Sequence, residues 1–172
     1  FHNAKNYDNH LILKYLEHGF LAEKIKVIPS NTEKFIAFQI GQLRFLDSFQ
    51  FLASSLDTLV TNLGDDITKF EHTTRHFDSD KLPLVMRKGV YPYEYLDSMD
   101  KFSDTSLPPA KEFYSSLTDE CISQTDYDHA QLVWDTFNMK TIKDYHNLYV
   151  TTDTLLLADV ITDFRKMAMK YY

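Results

Sequence analysis

At 172 residues, with 44% hydrophobic and 15% aromatic residues, the chain is long enough for one domain with a sizeable core and too apolar to be disordered. Its net charge of −7 counts against a broad Lys/Arg grip on duplex nucleic acid. It does not count against a nuclease site, where carboxylates gather metal ions that supply the positive charge. The single Cys121 excludes an internal disulfide and a Cys-based zinc cluster and fits a reducing compartment. The four Gly form no phosphate-loop pattern, and no apolar run approaches the roughly 20 residues of a membrane span, so no membrane partner is expected.

Phe1-His2-Asn3 reads as the end of a β-strand. With no initiator Met at the start, and Tyr171-Tyr172 still inside a helical pattern at the end, the chain is expected to be an excised fragment. Leu11, Ile12, Tyr15 and Leu16 repeat at helical spacing after Asp8, with Gly19 as a stop. Asp8 therefore falls in a first helical turn, where the helix dipole favours an acidic residue whatever else it does. Three β-like runs follow, 23–28, 34–40 and 42–47, punctuated by Pro29-Ser30-Asn31 and Gly41-Gln42, and together they predict a meander or hairpin. Ala53 to Gly64 reads as a capped amphipathic helix.

From Asp65 to about Thr125 the signals weaken, and a helical insertion is expected there. His72-x-x-x-His76 has a metal-compatible spacing, but no acidic or Cys pattern completes a zinc motif, and a solvated helix end is the favoured reading. Arg87-Lys88-Gly89 followed by the aromatic run Tyr91-Pro92-Tyr93-Glu94-Tyr95 suggests a tight turn with packed rings around it. Lys88 is a candidate phosphate contact or an ordinary surface lysine. Leu107-Pro108-Pro109-Ala110 is expected to begin a helix, and Thr125 to Phe137 to form another that packs Tyr127, Ala130, Val133, Trp134 and Phe137.

Thr141 to Tyr172 contains no Gly or Pro and carries Leu148, Leu155, Leu156, Ala158, Val160 and Ile161, which predicts one long, well-buried helix. Tyr149 and Asp153 are four residues apart and share a face of it. A carboxylate beside an apolar segment is costly to bury without a cation, and a divalent metal is one such partner. The alternative on these residues alone is that Asp153 caps the apolar half of the helix or faces solvent.

Two of these patterns, near opposite ends of the chain, resemble one family. Asn3-x-x-x-Tyr7-Asp8 is similar to the second 3′-5′ exonuclease motif of B-family DNA polymerases, and Tyr149-x-x-x-Asp153 to the third. The flanking Tyr7-Asp8-x-His10-Leu11-Ile12 and Asp153-x-Leu155-Leu156-Leu157-Ala158-Asp159-Val160 resemble the protein-primed, organellar and viral branch, which includes bacteriophage, linear-plasmid and self-synthesising transposon enzymes. The resemblance implies an α/β, RNase H-like exonuclease fold, a mixed sheet flanked by helices, truncated at its N-terminus and spanning 1–172 from second to third motif. It implies a proofreading function on the single-stranded 3′ end of a primer, with the rest of the polymerase chain and a terminal priming protein as partners.

The same resemblance implies two divalent metal ions, Mg2+ or Mn2+, with Asp8 and Asp153 as metal-binding carboxylates and Tyr149 orienting the attacking water. Lys88 is the match to a lysine that contacts the scissile phosphate, and Asn3, Tyr7, Ser48 and Phe49 match contacts to the single strand. Leu11 falls where that branch has an aromatic. The first motif, Asp-x-Glu, would precede Asn3, so hydrolysis by this stretch alone is not expected. Two other readings are a degenerate mobile-element remnant that acts as a non-catalytic structural or DNA-binding module, and an unrelated helical interaction domain in which Asp8 and Asp153 are caps.

Overall fold

The computed structural model describes residues 1–4, 8–16, 25–29 and 35–171. It divides the chain into two compact units, Phe1–Ser55 and Leu56–Tyr172. Tyr7, Gly19, and Ser30 and Asn31 of the expected turn lie outside the described residues.

The first unit combines helix α1 (Asp8–Leu16) with strands β1 (Ile25–Pro29), β2 (Phe35–Ile40) and β3 (Leu43–Leu46). The described strands form one antiparallel sheet in the order β1-β2-β3. The molecule is thus mixed α/β with a small meander, whereas a mixed sheet was the finer expectation. Ile40 pairs with Leu43 across the two-residue turn Gly41-Gln42. Gly41 has φ +58° there, a left-handed conformation that such short hairpin loops require and that glycine adopts without a Cβ penalty. The central strand buries Ala37, Phe38 and Ile40, and Phe38 stacks on its cross-strand partner Phe45 at 4.5 Å.

Phe1–Asn3 is not a strand end. It is tied by side-chain and main-chain bonds to the segment after β3. Ser48 donates to the Phe1 carbonyl from both its amide (3.0 Å) and its hydroxyl (2.8 Å). The buried Asp47 carboxylate accepts from the amides of Asn3 (2.7 Å) and Phe49 (3.0 Å). Asn3 takes φ +60°, a region that Asn tolerates better than most residues.

The second unit is helical, with α2 (Leu56–Leu63), α3 (Glu71–His76), α4 (Leu82–Val85), α5 (Gln124–Thr136) and α6 (Ile142–Tyr171). α2 buries Val60 and Leu63 and ends at Gly64, φ +71°. Ser123 caps α5 by accepting from the Asp126 amide at 3.1 Å. The helix expected to begin at Leu107 is only the 3-10 turn Ala110–Phe113, because Tyr114 returns at once to extended backbone (φ −61°, ψ 144°). The stretch from 65 to 125 is otherwise short helices and irregular chain.

α6 runs for 30 residues, about 45 Å at helical rise. Asp144 caps its start, its Oδ2 accepting from the amides of Lys140 and Thr141 at 2.9 Å each. Its buried side chains are Ile142, Tyr145, Thr152, Leu156, Asp159 and Val160, a seam with alternating three- and four-residue steps that passes through position 149. The seam differs from the apolar face expected from sequence: Leu155, Ala158 and Ile161 are only partly covered, whereas polar Thr152 and Asp159 are buried. Asp159 is 0% exposed. It accepts from the amides of His72 (2.6 Å) and Thr73 (3.2 Å) and from the Thr73 hydroxyl (2.6 Å), which satisfies the start of α3. Around the first half of α6, Ala130, Val133, Met139 and Tyr145 form a core against which Val90, Tyr91, Trp134, Phe137 and Leu148 pack. Among the described residues no helix is long and apolar enough to cross a membrane.

Candidate functional site

The seam of α6 at Tyr145, His146, Tyr149 and Asp153 grips the segment Lys88–Tyr93 residue by residue. Tyr145 donates its hydroxyl to the Val90 carbonyl at 2.6 Å. The Tyr91 hydroxyl bonds His146 Nδ1 at 2.5 Å, and its ring stacks on Tyr149 with centroids 4.5 Å apart. The Tyr93 and Tyr149 hydroxyls are 2.6 Å apart. Gly89 lies under the Tyr149 ring, where a Cβ would come within 3.3 Å of Tyr149 Cδ2, so absence of a side chain lets the segment approach the helix. The aromatic run read from sequence as a cluster of packed rings is therefore a clamp on the helix.

Lys88 is delivered by this clamp to Tyr149 and Asp153. Its Nζ donates to the Tyr149 hydroxyl at 2.5 Å and to Asp153 Oδ2 at 2.8 Å, and it lies 4.7 Å from the Tyr149 ring centroid. Both members of the ion pair keep a quarter of their side-chain surface exposed, enough for a ligand to reach them. Asp153 Oδ1 is buried and has no hydrogen-bond partner. Buried carboxylate oxygens are nearly always satisfied, so an orphan one calls for a physical explanation such as strain, an ordered water or an ion. Asp153 is neither a cap nor a solvent-facing residue here.

Burial, then the hydrogen bond to Tyr93, then the charge of Asp153 push the Tyr149 phenol far above its ordinary range. It stays protonated at any physiological pH, able to orient a water by hydrogen bonding and unable to act as a base. Burial and the neighbouring Tyr93 push Tyr91 up to about 12.

Asp153 Oδ1 suits a hard divalent cation, which takes carboxylate oxygens. It offers one donor atom. Among the described residues no three His, Cys, Asp or Glu side chains gather as a metal site, so those residues by themselves do not complete a ligand set. The ammonium of Lys88 is the cation that neutralises Asp153 here.

In the first unit Asp8 is exposed and opens α1, as its first-turn position suggested. Asn3, Ser48 and Phe49 come together: Asn3 and Phe49 share Asp47 through their amides, His2 Nδ1 is 3.0 Å from Ser48 Oγ, and the His2 ring meets Phe49 edge-on at 5.4 Å. His72 and His76 are not paired. His72 Nε2 bonds Thr162 Oγ1 at 2.9 Å, and exposed His76 lies against Phe77.

No protein-family model, curated protein or solved structure matches the chain.

Sequence reasoning did not assign a site role to Gly89, Tyr91, Tyr93 or His146. His146 was findable, because it stands three residues before Tyr149 and therefore on the same helical face. Tyr91 and Tyr93 were not, since only the return of residues 88–93 onto α6 reveals what their hydroxyls meet.

Proposed function

We propose that this chain is the 3′-5′ exonuclease region, with an RNase H-like fold, of a protein-primed B-family DNA polymerase, and that it acts on the single-stranded 3′ end of a primer. The observation that carries the reading is the meeting of Lys88 with the Tyr149 hydroxyl and Asp153 Oδ2, while Oδ1 of the same carboxylate is unpartnered. In this reading Asp153, together with Asp8, holds Mg2+ or Mn2+, and the metal supplies charge stabilisation and an activated water. Tyr149 orients that water through its neutral hydroxyl. Lys88 moves its ammonium from Asp153 to the scissile phosphate, a point charge suited to that contact. Asn3, Tyr7, Ser48 and Phe49 hold the strand. The rest of the polymerase chain and a terminal priming protein are its partners.

The second reading is a degenerate mobile-element remnant that holds DNA without cutting it. The two are separated by a nuclease assay in Mn2+ on a 3′-labelled single strand, using a polypeptide that supplies an Asp-x-Glu strand ahead of residue 1. The exonuclease reading expects mononucleotide release that falls at least a hundred-fold in Asp153→Ala and Lys88→Ala. Strand binding without release, unchanged by Asp153→Ala, supports the non-catalytic module and overturns the exonuclease.

A further inference from the structure

A ladder of ring contacts leads away from Tyr149. Tyr149 stacks on Tyr91 at 4.5 Å, Tyr91 meets His146 at 5.7 Å, and His146 meets the Phe102 ring edge-on at 4.9 Å. Phe102 belongs to the 3-10 turn Met99–Ser103. Beyond it opens a cleft of about 540 Å3, within the range of ligand-binding pockets. Phe102, His146, Lys143, Asn147 and Met99 line it.

We propose that this cleft binds the single strand two to three nucleotides inward of the 3′ end that reaches Tyr149; the inference rests on the nucleic-acid reading above. The composition of the cleft suits a nucleotide. The Phe102 ring and the side chain of Met99, a residue 78% exposed, offer a surface for the face of a base, which every base has. The Asn147 amide carries both donors and an acceptor for a base edge, and Lys143 carries an ammonium for a phosphate.

Lys143, His146 and Asn147 lie three and four residues apart and so share a face of α6. Tyr91 holds His146 by Nδ1, and its Nε2 has no partner among the described residues. Of the neighbouring carboxylates, exposed Asp100 stands on the same turn as Met99 and Phe102, and two others are engaged elsewhere. Asp144 accepts from the backbone amides of Lys140 and Thr141, and Asp104 Oδ2 accepts the Tyr95 hydroxyl.

Spacing sets the register. His146 and Lys143 lie about 4.5 and 9 Å before Tyr149 along the helix axis. One strand of a stacked nucleic acid advances about 3.4 Å per nucleotide. Lys143 therefore falls opposite a phosphate roughly two to three nucleotides inward.

The test uses the full chain and oligothymidylates with a single 5-iodo-2′-deoxyuridine, placed either at the 3′ end or two to three nucleotides inward, irradiated and mapped by mass spectrometry. The inner probe is expected to crosslink to Phe102, His146 or Met99, and the terminal probe near Tyr149 and Tyr93. Phe102→Leu, which keeps apolar volume but not the ring, is expected to weaken binding about ten-fold and lose the inner crosslink. Lys143→Ala should lower the slope of log affinity against log salt by about 0.7. Inner crosslinks mapping outside the cleft overturn this inference; so does parental affinity in Phe102→Leu together with an unchanged slope in Lys143→Ala. In either case a terminal crosslink at Tyr149 leaves the nucleic-acid reading standing. Crosslinks at neither place overturn both.

Discussion

Lys88 Nζ stands 2.8 Å from Asp153 Oδ2, joining residues 65 positions apart in the chain, while Oδ1 of the same carboxylate is buried with no partner. In the proposed reading the ammonium occupies the place of a divalent cation. Two like charges about 4 Å apart repel appreciably even at a high effective dielectric, so that reading has the amine and a metal compete for Asp153. Lys88→Met is expected to tighten Mn2+ binding on the order of ten-fold, read by Mn2+ paramagnetic resonance on the full chain, with Asp153→Asn losing the site. Equal Mn2+ affinity in the parent and Lys88→Met would count against competition.

Gly89 and Gly41 should respond to alanine for different reasons. At Gly89 the new Cβ meets Tyr149 Cδ2 at 3.3 Å, so the ring must shift; a cost of about 1–2 kcal/mol is expected, with weaker single-strand binding. At Gly41 nothing lies within 4 Å, but φ is +58°, so a cost of about 1 kcal/mol from backbone strain is expected, with binding unchanged. Urea unfolding alongside oligonucleotide titration checks both. If Gly41→Ala were to weaken binding as much as Gly89→Ala, the assigned contact with Tyr149 would be wrong.

Asp159 ties α6 to α3 through the amides of His72 and Thr73 and the Thr73 hydroxyl. Asp159→Ala leaves three donors unmet, at least one of them in a fully buried residue, and should cost about 3 kcal/mol. Asp159→Asn keeps one acceptor oxygen and should cost roughly half of that. Denaturant midpoints at constant slope measure both, and equal losses in the two variants would exclude this bonding pattern.

The alkaline limb of stability should report Tyr91. Its folded pKa is pushed up to about 12 by burial and Tyr93, above the unfolded value near 10. A group with a raised folded pKa contributes stability that is fully present below pH 10 and is lost as pH rises from about 10 through 12. The parent should lose stability over that window, and Tyr91→Phe should lose less. Tyrosinate absorbance in the folded protein should likewise show Tyr91 titrating late; titration near 10 would contradict the burial argument.

Much of the architecture was readable from local pattern. The three β-like runs became β1, β2 and β3 because turn residues and a positive-φ glycine separate them, and both long helices of the second unit lie where apolar spacing without Gly or Pro put them. Local rules failed where a long-range partner decides. Asp159 and Thr73 are polar yet wholly buried because they satisfy each other across 86 residues, and no periodicity analysis foresees that. The helix at Leu107 shrank to one turn because position 114 resumes extended backbone.

For the candidate site the division is similar. Sequence by itself determined that Tyr149 and Asp153 share a helical face, since four residues make about one turn, and that Arg87-Lys88-Gly89 precedes a dense set of aromatic rings. Only the tertiary structure decided that Lys88 meets that face, that Gly89 allows the approach, and that one oxygen of Asp153 is left without a bond. The reason is physical: helical periodicity is a property of neighbouring residues, whereas the partner of a buried charge is set by which distant segment packs against it.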